Sequence, residues 1–154
     1  MKPPLKNFAI VLCVAGVMLA LLFQVKRAGT QSEYMSLLHS LQGTNITKVV
    51  MCEKSGSMLT SVSAPVALGA FAKAANTAEP YRPNHPNYAH EFHVLLYFTD
   101  GQYRSFEFYI MQPSDQTIYV NFVQWHGAVT SYYGHCKSTA LFDWMKKQIP
   151  TNLP

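Results

Sequence analysis

Phe92-His93-Val94-Leu95-Leu96-Tyr97-Phe98-Thr99-Asp100-Gly101-Gln102-Tyr103-Arg104-Ser105-Phe106-Glu107-Phe108-Tyr109-Ile110-Met111 is the stretch that decides the fold. Two runs of aromatic and β-branched residues flank Asp100-Gly101, a strong signature of a hairpin. A two-residue turn would pair Val94 with Glu107 and Leu96 with Ser105, mixing polar and apolar residues on one face. A three-residue loop of Thr99, Asp100 and Gly101, with Gly101 left-handed, instead pairs Phe92 with Phe108 and Val94 with Phe106. It also sets His93 opposite Glu107 and Tyr97 opposite Tyr103. Because register decides which side chains are buried, the second arrangement is the expected one.

On the C-terminal side, Pro113-Ser114-Asp115-Gln116 turns the chain into a strand from Thr117 to Trp125. His126-Gly127 offers a tight turn into Ala128 to Tyr133. Ser138 then caps a helix to about Ile149, with Leu141, Phe142, Met145 and Ile149 inward and Lys146 and Lys147 near its negative end. Pro150 stops it.

On the N-terminal side, Pro65 opens a helix to about Ala75 whose inner face is Leu68, Phe71, Ala72 and Ala75. Ile46 to Cys52 is dense in β-branched residues and reads as a strand. Ser55-Gly56-Ser57 breaks it before a short strand, Met58 to Val62. Ser32 caps a short helix in which Tyr34, Leu37, Leu38 and Leu41 share one face, and Gly43 ends it. Residues 79–90 carry Pro80, Pro83 and Pro86 at every third position, which predicts a stiff extended surface loop without ladder hydrogen bonds.

The order is helix, strand, helix, antiparallel meander, helix. This predicts the α+β class: one domain with a mainly antiparallel sheet of four to five strands packed by about three helices. The domain spans residues 29–154. Residues 1–28 are expected to precede it as an N-terminal transmembrane helix with basic flanks.

That expectation rests on the apolar run from Phe8 to Val25, with Lys2 and Lys6 before it and Lys26 and Arg27 after it. A spanning helix needs about 20 apolar residues, and snorkelling lysines extend a short one. A cleaved secretory signal is the alternative, but small residues are missing at the required positions after the core. Leu12 before Cys13 likewise argues against a lipoprotein site. The expectation is a single-pass anchor in a cell inner membrane, touching the bilayer through Phe8 to Val25. The C-terminal domain would lie outside the cytoplasm, in the periplasm if the source is bacterial.

The formal charge is +4, and two Lys precede the run while Lys26 and Arg27 directly follow it, so the domain itself is close to neutral. Nothing marks a nucleic-acid-binding surface. Cys52 and Cys136 form an even pair in a domain expected to meet an oxidising compartment. A bridge between them would close a loop of about 84 residues and contribute roughly 4 kcal/mol in the chain-entropy model. Two partly buried free thiols are the alternative.

No catalytic or metal motif stands out. His85, His90 and His93 lie close in sequence, but positions 90 and 93 of a strand face opposite sides, the wrong spacing for a shared metal, and exposed loop and strand histidines are the expected reading. Cys136 follows His135 directly, and neighbouring residues rarely present both side chains to one substrate; His126 is the other candidate base. The carboxylates of Glu33, Glu53, Glu79, Glu91, Glu107 and Asp143 form no close pair in sequence. Asn45-Ile46-Thr47 matches the glycosylation triplet, a match expected by chance.

Tyr81, Arg82, His85 and Tyr88 are the expected contact residues. They are side chains typical of interface hot spots, on a path that prolines keep stiff. Covering a sheet edge is the bland account of the same segment. Trp125 and Tyr132, with Tyr133, offer a second aromatic patch. The expected function is a non-enzymatic interaction module without cofactor or metal, whose partner is a protein or peptide. Two alternatives stand beside it: a thiol- or histidine-dependent envelope hydrolase using Cys136 or His126, and a periplasmic immunity or inhibitor protein.

Overall fold

The computed structural model describes residues 5–81, 88–111, 116–126 and 129–149, with side chains for 12–22, 24, 32–81, 88–111, 116–121 and 135–149. Helix α1 (Leu5–Ser40) leads through a 3-10 turn (Gly43–Asn45) into β1 (Ile46–Glu53) and β2 (Met58–Val62). Helix α2 (Pro65–Ala75) and β3 (Glu79–Tyr81) follow, then β4 (His90–Phe98) and β5 (Tyr103–Ile110). Strands β6 (Ile118–His126) and β7 (Val129–Ser138) precede α3 (Thr139–Gln148). The strands form one antiparallel sheet in the order β2-β1-β4-β5-β6-β7-β3.

The hairpin has the expected register. Phe92 faces Phe108, Val94 faces Phe106, His93 faces Glu107, and Tyr97 faces Tyr103. Gly101 adopts φ +80°, and the Phe98 amide donates to the Gln102 carbonyl at 2.9 Å. Only glycine takes that backbone conformation without strain, so Gly101 sets which side chains face the core.

One face of the sheet is covered by helices. Val49, Met51, Val94, Leu96, Phe106, Phe108, Ile118, Val120 and Cys136 are buried there with Leu38, Phe71, Leu141 and Met145. Phe71 meets Trp144 edge-on at 4.9 Å, and the Trp144 indole donates to the Ala67 carbonyl at 2.9 Å, which ties α3 to α2. The Ser138 hydroxyl accepts from the Leu141 amide at 3.1 Å, an N-cap that satisfies one orphan donor of α3. The 3-10 turn lies close against α2: a Cβ placed on Gly43 would come within 2.7 Å of the Gly69 Cα.

Four expectations are corrected. Seven strands are present rather than four or five, because β2 and β3 extend the sheet at its two edges. Residues 79–81, expected in a loop without ladder bonds, pair with β7, with Pro80 opposite Cys136. Proline tolerates this position because β3 is an edge strand, where no partner needs its missing N–H. Ser32 starts no helix, since α1 runs through it from Leu5 to Ser40. The fourth correction concerns the membrane. Among the described residues no helix is long and apolar enough to cross one. That overturns the transmembrane anchor over Phe8 to Val25 and the inner-membrane, extracytoplasmic placement drawn from it. The C-terminal part of α1 has a different role: Met35 and Leu38 enter the domain core.

Candidate functional site

Alternation along each strand places a second set of side chains on the sheet face away from the helices. Register aligns them in two rows. Cys52 lies opposite His93, His93 opposite Glu107, Glu107 opposite Asn121, and Asn121 opposite His135. Tyr81 on β3 closes this row beside His135. The second row runs Glu91, Tyr109, Tyr119, Lys137 and Glu79. Six strands thus contribute chemically capable groups to one face.

The middle of this face is unusually well buried for its polarity. Glu107 and Asn121 are each 3% exposed, and Tyr109 is 4% exposed. The Tyr109 hydroxyl and the Asn121 amide, the latter at 3.4 Å, both donate to Glu107 Oε2. Burial pushes the Tyr109 phenol well above its usual range, reinforced by the hydrogen bond to Glu107 and by the charges of Glu107 and Glu91. The phenol therefore stays a donor at any ordinary pH. Asn121 Oδ1 is a buried acceptor without a donor among the described residues. Glu91, at the rim, takes Lys54 Nζ at 2.6 Å, and its other oxygen lies 4.0 Å from His93 Nε2.

Aromatic rings frame the cluster. Tyr88 stacks on Tyr109 with centroids 3.8 Å apart, and Tyr81 leans on Tyr119 at 4.8 Å. Beside Tyr88 a shallow cleft of about 370 Å³ runs along Glu53, Lys54, His90 and Glu91.

Tyr81 and Tyr88 therefore come to the same face, where each supports a tyrosine of the second row. Arg82 and His85 lie outside the described residues. Trp125 falls on β6 and Tyr132 on β7, with their side chains outside the description, as is that of His126. Among the described residues no group of three or more His, Cys, Asp or Glu side chains converges as a metal site.

Of the two readings of Cys52 and Cys136, a bridge or two free thiols, the structure has the second: both are free. Cys52 sits on the open face of β1 and Cys136 on the helix face of β7, four strands away in the sheet. Four strand spacings amount to roughly 19 Å, whereas a disulfide needs Cα atoms within about 7 Å. Cys136 is fully buried, and that burial pushes its thiol up to about 12. A thiol so placed holds its proton at neutral pH and cannot meet a substrate.

Glu91, Glu107, Asn121, Tyr109, Tyr119 and His135 are site residues that single-residue signals do not reveal. The one usable signal was the hairpin register, which sets His93 opposite Glu107. Compared with family models, with curated proteins and with solved structures, the chain has no match. Its site is argued from its own geometry.

Proposed function

We infer that this chain is a non-catalytic binding module that takes a protein or peptide segment on the open face of its sheet. The observation that supports this reading is the burial of Glu107 and Asn121 at 3% exposure on the face the helices leave uncovered. Keeping a carboxylate and an amide there costs several kcal/mol of desolvation that an apolar pair would avoid. Sheet stability alone would favour the apolar pair; the polar one instead orients the Tyr109 ring on which Tyr88 stacks, and so shapes the tyrosine surface offered to a partner. Rigid tyrosines around the cluster lose little entropy on contact, which suits a recognition surface.

The test is a peptide-display selection against the full chain, with enriched peptides remeasured on two variants. His93→Ala alters the open face, and Val66→Ser alters an exposed position of α2. Expected is a loss of about tenfold in affinity for His93→Ala, the size of a moderate hot spot, and no change for Val66→Ser. Enriched peptides that bind both variants like the parent would overturn the reading.

A further inference from the structure

We propose that the outer edge of β2 receives one further strand, an extended segment of a partner protein that lays an apolar side chain into the notch where β2 ends short of β1. This edge lies apart from the open face, so the site and the reading above stand or fall separately.

The two edges of the sheet differ in how they meet solvent. β3 is three residues long and carries Pro80, which has no N–H to offer an added strand. β2, at the opposite edge, contains neither proline nor a charged residue, and among the described residues it pairs with β1 alone. Edge amides and carbonyls left open in this way are a template for another strand. A bulge interrupts the ladder between Met51 and Cys52, which is a recognised way to spoil an edge. It lies near the hairpin end, however, and Thr60, Ser61 and Val62 pair with β1 in regular register.

The notch sets what the edge prefers. Pairing with β2 starts at Val49, whereas β1 itself starts at Ile46, so its first three residues face no described strand on that side. An open cavity of about 680 Å³ lies there, lined by Ile46 and Thr47 of β1, by Ser63, and by Pro65, Leu68 and Gly69 of α2. Thr47, Ser63 and Pro65 are exposed, so the way in is from solvent. No lining residue is ionisable. A charged side chain would lose water there without gaining a partner, while an apolar one gains contact with Ile46, Pro65 and Leu68. Side chains of an added strand alternate in direction, so backbone bonds along the edge hold the segment and the side chain turned into the notch selects it. A second β2 fits less well than a foreign segment. Its exposed Met58 stands opposite Cys52 on the open face, whereas the notch lies beside α2 on the helix face.

The test selects short peptides by display on the full chain carrying His93→Ala, so that what is enriched does not depend on the open face. Resynthesised with fluorescein, they are measured by anisotropy on the parent and on Thr47→Trp, whose indole fills the notch from an exposed position. Expected is a loss of about tenfold or more for Thr47→Trp, and one apolar peptide position that tolerates neither aspartate nor lysine. N-methylation should weaken binding at every second peptide residue, because only alternate residues of an antiparallel strand bond to a given neighbour. Should Thr47→Trp fail to fold, Ser63→Trp replaces it. Hydrogen exchange supplies a second readout: amides of 58–63 exchange faster than those of β4 in the free parent chain, and bound peptide slows them. Enriched peptides that ignore the filled notch, or lack the alternating pattern, would overturn the proposal and leave the open face standing. Slow exchange at 58–63 in the free chain would overturn it too, since the edge would already be covered by another part of the chain or by a second copy. Failure of the open-face reading shows separately, in peptides selected on the parent that ignore His93.

Discussion

Consecutive residues of β5 show what separates the two faces of this sheet. Phe106 and Phe108 are 1% exposed on the helix face, while Glu107 and Tyr109 are 3% and 4% exposed on the other. Burial is nearly equal and composition is opposite. On the helix face the buried side chains are almost all apolar, so each buried ring adds to stability through area removed from water. On the open face, burial works against Glu107, because desolvation is only partly offset by the donors on Oε2. Equal burial therefore does not mean equal purpose: one face holds the domain together, and the other keeps polar groups at an energetic cost.

The contrast is broken most directly by truncating a core ring. Phe106→Ala should lower the unfolding free energy by about 3–5 kcal/mol, measured by urea denaturation, because Phe106 packs between Tyr34 of α1 and the sheet. A loss below about 1 kcal/mol would mean that the helix face is not the dominant core. Gly43→Ala comes next. The new methyl would meet backbone, the Gly69 Cα at 2.7 Å, so the 3-10 turn and α2 must separate. Overpacking of this kind costs typically about 1–3 kcal/mol. A variant as stable as the parent would show that this contact relaxes freely.

How much of this was legible in the sequence depends on whether the deciding contact was local. The β4–β5 register could be read because Asp100, Gly101 and the alternating rings lie within one turn of each other. Helix α3 could be read from Ser138 and its apolar face, and α2 from Pro65 and its small inner residues. Strand β3 could not, because Pro80 argues against a ladder unless the strand is known to lie at an edge. The continuity of α1 was hidden by the change from an apolar run to a charged one at Lys26 and Arg27. The rows of the open face were the least legible part. Cys52 meets His93 only because β1 pairs with β4 across α2 and β3, and His135 meets Asn121 through a second register. Glu107 between Phe106 and Phe108 reads as solvent-facing, since nothing in its own strand reports what surrounds it.

Cys136 sharpens the contrast through pH. Its thiol is raised to about 12 by burial on the helix face. Below the ordinary thiol value near 9 the folded and unfolded chains both carry the proton, and stability is unaffected. Above it the unfolded chain releases the proton while the fold retains it, so stability falls until the pH passes the folded value. Linkage gives a loss of about 1 kcal/mol between pH 9 and pH 10 for this group alone. The difference in urea midpoint between the parent and Cys136→Ala should shrink across that interval. A constant difference would mean that the thiol ionises as readily in the fold as outside it.

The smallest expected effect on stability belongs to Glu107→Gln, and it is the most informative. The amide oxygen can still accept from Tyr109 and Asn121, as Oε2 does now. The substitution thus removes a buried charge while keeping the acceptor that both donors use, so stability should stay the same or rise by up to about 1 kcal/mol. A structural carboxylate would behave in the opposite way, and a loss comparable to that of Phe106→Ala would place Glu107 among the groups that hold the sheet together. Unchanged or higher stability would separate the two faces by what each does when its charge or its bulk is taken away.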